Sequence, residues 1–136
     1  PLGTYKLGIS FGIHDLDIDY PYIRIDNDCY WVDDPNSFYY NCMVSKGKID
    51  DFGYDYIYSY ITDFKSSEHL SDYKVQYEYA IFIEYNIERR KNKGSAIFLH
   101  CSSGPYTLGC ISIPKDDMKW LLFFMDRKKN PIIKII

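Results

Sequence analysis

Residues 77–85 read Tyr-Glu-Tyr-Ala-Ile-Phe-Ile-Glu-Tyr (YEYAIFIEY), and residues 95–100 read Ser-Ala-Ile-Phe-Leu-His (SAIFLH). Both runs are short, aromatic and rich in branched apolar residues, the composition of strands buried in a core. A polar loop ending in Gly94 separates them, so they are expected to be neighbouring core strands, paired as a hairpin with a long loop. The loop holds ERRKNK (88–93), whose charge lies between two apolar runs and reads as a solvated turn.

Upstream, GTYKLGISFGI (3–13) alternates small, aromatic and polar residues, with glycines at 3, 8 and 12. That is the pattern of a twisted strand with turns or bulges. The stretch 15–41 is dense in Asp, Asn, Pro and Tyr and reads as short strands joined by Asx-rich turns, with DDPNS (33–37) a turn signal. Its acidic residues at 15, 17, 19, 26, 28, 33 and 34 lack the D-x-[DN]-x-[DN]-G spacing of a calcium loop, which favours solvated turns over a calcium site. Residues 50–74 mix helical and strand spacing.

Downstream, Pro114 leads into KDDMKWLLFFMD, where Met118, Leu121, Leu122 and Met125 recur at i, i+3, i+4 and i+7. Asp116 and Asp117 sit where a helix dipole favours negative charge, so an amphipathic helix is expected, its methionines serving as core packing. RKKN (127–130) is expected to carry positive charge at the helix end, with Pro131 stopping it and IIKII (132–136) returning as a closing strand.

A chain of 136 residues suits one domain with a real core. Fifteen tyrosines suit half-buried strands and a wet groove, where a ring packs and its hydroxyl finds a partner. The Tyr pairs at 39/40 and 54/56 fit such a groove or the core. The formal charge is −3 with no basic stripe, which argues against nucleic acid. No apolar run approaches the roughly 18 residues of a membrane helix, and no signal-peptide pattern opens the chain.

Four cysteines, at 29, 42, 101 and 110, are few for a disulfide scaffold, and none forms a C-x-x-C pair. Cys29 and Cys42 either pair or are simply buried. His100 and Cys110 flank a loop containing Gly104 and Pro105, at the end of one strand and the start of the next, so chain geometry permits contact. A thiol needs a neighbouring imidazole or positive dipole to act as a nucleophile, and His100 would supply it. Cys101 would point away from His100 in an extended strand. Gly109 allows a sharp turn that brings backbone N–H groups toward a reacting carbonyl. On residues alone three readings stand: a catalytic pair, a buried thiol beside a strand-end histidine, or a zinc site using His100, Cys101 and Cys110.

The segment GSAIFLHCSSGPYTLGCISIP, followed by DMKWLLFFMD and NPIIKI, resembles the C-terminal signature of the L,D-transpeptidase catalytic domain (YkuD domain), and most closely its divergent Gram-positive-type branch. In that family a strand delivers a histidine and an [S/T]-x-G-C segment delivers the nucleophile. PLGTY (1–5) resembles the family's T-P-x-G-x-[FY] strand without its first residue, and YWVDDPNSFYYN, SEHL and YAIFIEYN occur in the order that branch shows. The resemblance implies a mainly β, sandwich- or barrel-like fold with one amphipathic helix after the nucleophile. It also implies a single catalytic domain over residues 1–136, with the family's first strands lying before Pro1.

By the same resemblance Cys110 is the nucleophile, His100 the general base, and the main-chain carbonyl of Cys101 orients the histidine. Thr107, Leu108, Gly109 and Ser112 contribute to oxyanion and substrate binding, and His69 either lines the groove or is a surface or capping histidine. Many members carry a second histidine where Leu108 stands and Arg or Asn near Ser112, so substrate recognition is expected to differ. The implied activity is acyl transfer on peptidoglycan stem peptides outside the cytoplasm, at a bacterial cell wall or surface. No cofactor is implied, carbapenem β-lactams are implied covalent inhibitors, and any membrane attachment would come from a segment before Pro1. Hydrolysis in place of transfer would make the chain a carboxypeptidase.

Two rivals stand beside this. TLGC (107–110) also resembles the T-L-x-T-C of sortases, although the extra residue, the upstream histidine and the following arginine differ, Arg127 lying beyond the expected helix. A non-catalytic wall-binding domain of the same fold is the rival from a different class, and it expects an unreactive Cys110. His14, beside Asp15 and Asp17, is expected to be an exposed turn residue.

Overall fold

The computed structural model describes residues 1–45, 57–59, 64–104 and 110–136. Within them the chain is mainly β, with ten strands and one α-helix. The strands are β1 (Gly3–Gly12), β2 (Tyr22–Arg24), β3 (Cys29–Val32), β4 (Met43–Ser45), β5 (Ile57–Ser59), β6 (Ser67–His69), β7 (Tyr79–Ile83), β8 (Phe98–Cys101), β9 (Ile111–Ile113) and β10 (Ile132–Ile135). The helix is α1 (Lys115–Phe124).

One mixed sheet runs β10-β1-β7-β8-β9, with β2 added parallel to β1. The smaller sheet runs β5-β4-β3-β6. As expected from their composition, β7 and β8 pair antiparallel, with Ala80 opposite His100 and Phe82 opposite Phe98. The closing strand β10 pairs antiparallel with the first half of β1.

Side-chain alternation gives the large sheet two apolar faces. Ala80, Phe82 and Phe98 point toward the small sheet and share a core with Trp31, Met43 and Leu70. Tyr79, Ile81, Ile83, Leu99 and Cys101 point the other way and pack on Met118, Leu122 and Met125. The helix therefore covers the face opposite the small sheet, making three layers. Phe98 is the hub of the first core, its ring meeting those of Phe11, Trp31 and Tyr77 edge-on at 5.2, 4.9 and 5.4 Å.

β1 shows why its glycines matter. Tyr5 and Leu7 pack on the helix side, whereas Ile9 and Phe11 pack on the small-sheet side. A perfect period of two would keep all four on one face, and the register shift between Leu7 and Ser10 is what moves the chain across. Gly8 sits inside that irregularity, where a Cβ would come within 3.0 Å of the Phe82 ring.

The acidic stretch forms Asx turns. Asp26 Oδ1 accepts from Asp28 N at 2.8 Å, and Asp34 Oδ1 accepts from Asn36 N at 2.9 Å. ERRKNK wraps around Asn86, whose side chain bonds Arg90 N, Arg90 O and Gly94 O.

The helix end differs from expectation. α1 stops at Phe124, and Arg127–Lys129 form a separate 3-10 turn capped by the Asp126 carboxylate, which accepts from Lys128 N at 2.9 Å. Met125 leaves helical geometry at ψ 139°, so the basic residues do not complete the last turn of α1. The aspartate supplied a competing local cap that periodicity does not show.

Candidate active site

β8 and β9 are parallel, with Leu99 opposite Ile111 and His100 opposite Ser112. That register differs from a simple face-off of strand end and strand start. The chain returns alongside β8, so Cys110 arrives beside Phe98, and the Phe98 N–H points at Cys110 Sγ at 3.5 Å. Phe98 and His100 share a face, as do Cys110 and Ser112, so the thiol and the imidazole are diagonal neighbours on the small-sheet side.

Both open on a cleft of about 460 Å³, also lined by Asp33, Glu68, Tyr77, Ala96 and Ser103. A volume of this order suits a short peptide segment. The loop positions Thr107, Leu108 and Gly109 lie outside the described residues.

His100 is buried, and its Nδ1 lies 2.8 Å from Cys101 O. A carbonyl only accepts, so Nδ1 carries a proton, and of the two neutral tautomers this contact selects the one whose lone pair is on Nε2. The Cys101 side chain takes no part: it is buried among helix-facing residues, where its thiol donates to Tyr79 O at 3.5 Å. Alternation along β8 thus puts Cys101 on the face opposite His100, whereas Cys110, arriving beside Phe98, packs on the small-sheet side.

Cys110 Sγ donates to Ala96 O at 3.3 Å. Burial pushes the thiol up from its ordinary value, the Phe98 N–H opposes that, and the Glu68 carboxylate pushes it up further. The resting group is therefore a neutral thiol that needs a base at the moment of attack.

Ala96 is held in turn by Asn41. Asn41 Oδ1 accepts from Ala96 N at 3.1 Å and from Trp31 Nε1 at 3.0 Å, while its Nδ2 donates to Tyr85 O and Asn86 O, both at 2.9 Å. Asn41 and Ala96 both sit at positive φ, 60° and 56°. That conformation is strained for alanine, and here it aims a carbonyl at the thiol.

Ser112 lies on β9 opposite His100. His69 is not among the residues that line the cleft. It pairs with Tyr30 on β3, stacks on that ring at 4.6 Å, and bonds Asn27 O, Ser71 Oγ and Asp72 Oδ1. Of its two readings the surface one holds, and its neighbour Glu68, which pairs with Trp31 and faces the core side, reaches the cleft instead. His14 is exposed, as expected, and bonds Glu78 Oε1 at 2.9 Å. Tyr40 is buried, its hydroxyl accepting from Gly94 N, while Tyr54 and Tyr56 lie outside the described residues.

None of the four cysteines is in a disulfide, so Cys29 and Cys42 do not pair, the first buried and the second half-buried. Among the described residues no cluster of three or more His, Cys, Asp or Glu side chains is arranged to hold a metal ion. No described helix is long and apolar enough to cross a membrane. No family model, curated protein or solved structure matches the chain.

Proposed function

We propose that this chain is a cysteine acyltransferase of the L,D-transpeptidase kind, acting on peptidoglycan stem peptides at a bacterial cell wall. The observation that carries the reading is the Nδ1 bond of His100 to Cys101 O, which leaves Nε2 as the acceptor nitrogen of the neutral tautomer in a residue that lines the same cleft as Cys110. The sequence resemblance supports the substrate class.

In this reading His100 Nε2 takes the Cys110 proton as sulfur bonds to the carbonyl carbon between the third and fourth residues of the stem peptide. The C–N bond then breaks, His100 returns the proton to the departing D-amino acid, and a thioester remains on Cys110. An amine of a second stem attacks the thioester, gives a proton through His100 to the sulfur, and forms the cross-link. Backbone N–H groups around Gly109 and Cys110 hold the oxyanion, as the resemblance implies, each contributing about 3 kcal/mol.

A second reading is favoured by one observation: burial and Glu68 both disfavour the thiolate, as in a structural cysteine. It makes the chain a non-catalytic peptide-binding domain. Intact-protein mass measurement after exposure to a carbapenem separates the two. Acyl transfer expects one covalent adduct, absent in Cys110→Ala and His100→Ala. A folded protein that stays unmodified supports the binding domain.

A further inference from the structure

Glu68 belongs to the small sheet, yet it ends in the cleft shared by His100 and Cys110 of the large sheet. The Tyr77 hydroxyl donates to Glu68 Oε1. The Tyr77 ring meets the His100 ring edge-on, with centroids 5.7 Å apart at 81°, and the Phe98 ring backs it at 5.4 Å. The acyl-transfer steps use neither Glu68 nor Tyr77, although the two share a part-buried polar contact.

Burial, followed by the Glu68 carboxylate, holds the Tyr77 phenol protonated well above its ordinary range, so it remains a donor. Burial raises the Glu68 carboxyl, the Tyr77 bond opposes this, and Asp33 adds to the rise. The bond from Nδ1 to Cys101 O fixes one edge of the imidazole but leaves its tilt open. The tilt is limited by what packs on the ring, and among the described residues the aromatic ring against it is Tyr77.

We propose that Tyr77 and Glu68 are positioning residues: Glu68 anchors the Tyr77 hydroxyl, and the anchored Tyr77 ring sets the plane of the His100 imidazole relative to Cys110. The inference rests on the acyl-transfer reading of His100 and Cys110. It gives the small sheet a part in the site, and it explains why an acid is kept beside a thiol that it disfavours. The electrostatic cost to the thiolate is offset by orientation of its base.

The test is the pH profile of Cys110 alkylation by iodoacetamide, read at Cys110 by peptide mass mapping, which needs no transpeptidation. The wild type is expected to show an inflection that His100→Ala displaces to higher pH. Glu68→Ala and Tyr77→Leu are expected to slow alkylation at neutral pH about tenfold and to displace the inflection. Glu68→Gln keeps an acceptor for the Tyr77 hydroxyl while removing the charge, so it should react faster than the wild type.

A purely structural role would make Gln and Ala behave alike, in step with their melting temperatures. Tyr77→Phe, which deletes only the hydroxyl, should slow the reaction about threefold and serves if a larger change prevents folding. Wild-type profiles in folded Glu68→Ala and Tyr77→Leu overturn the positioning role while leaving the acyl-transfer reading intact. An unchanged profile in His100→Ala overturns that reading, and the positioning role with it.

Discussion

His100 Nδ1 and the carbonyl oxygen of the next residue, Cys101, are 2.8 Å apart, so a residue whose side chain faces the helix sets the tautomer of a histidine that faces the cleft. One strand thereby separates two cysteine roles. The Cys101 carbonyl bonds His100, and the Cys101 sulfur packs in the helix-side core.

That separation makes Cys101→Ala a discriminating substitution. It removes a buried sulfur and should cost about 1 to 2 kcal/mol of stability, while the carbonyl that orients His100 stays in place. Carbapenem acylation at Cys110 should therefore persist at a near wild-type rate in Cys101→Ala. Its loss in a folded sample would show that the Cys101 thiol takes part.

Asn41 ties the core to the thiol. It satisfies the buried Trp31 indole, holds the strained Ala96 and bridges to Asn86, and its own positive φ suits Asn better than most residues. Asn41→Ala should lower stability by about 3 kcal/mol, measured by denaturant titration. A loss below about 1 kcal/mol would mean that water replaces these bonds.

Alkaline pH should destabilise the fold. Burial raises the thiols of Cys42, Cys101 and Cys110, and pushes Cys29 up to about 12. A raised thiol is protonated in the folded chain while its unfolded counterpart ionises above about pH 8.5, so unfolding releases protons there. The stability is fully present below that range and falls as pH rises through it toward the folded values. Urea midpoints in reducing buffer should drop between neutral and alkaline pH, and a constant midpoint would contradict the assignment.

The helix carries two apolar faces of different meaning. Met118 is 0% exposed against the large sheet, so Met118→Ala should cost about 3 kcal/mol. Trp120 is 63% exposed and stacks on Phe124 at 4.7 Å, so Trp120→Ala should change stability by about 0.5 kcal/mol or less. Thermal melting of the two variants checks the contrast.

The hairpin of β7 and β8, the helix and the closing strand were legible because each is a local pattern: branched apolar runs, or apolar residues at helical spacing. That Cys101 points away from His100 was legible from strand alternation alone. Glu68 was not. SEHL presents a histidine and an acid side by side, and which one faces the cleft depends on the pairing of β6 with β3, a contact across more than thirty residues. The parallel register of β9 and the Asn41 node were hidden for the same reason, since long-range pairing leaves no period in the chain. The α1 boundary was misplaced because Asp126 caps its own turn.

The most direct measurement is incubation of the chain with a stem tetrapeptide, followed by intact mass and by assay of the free D-amino acid. The account expects about one D-amino acid released per chain in a first turnover and a tripeptide thioester on Cys110. Both should be absent in Cys110→Ala and strongly slowed in His100→Ala. Release without dependence on Cys110, or a folded protein that neither acylates nor releases, would contradict it.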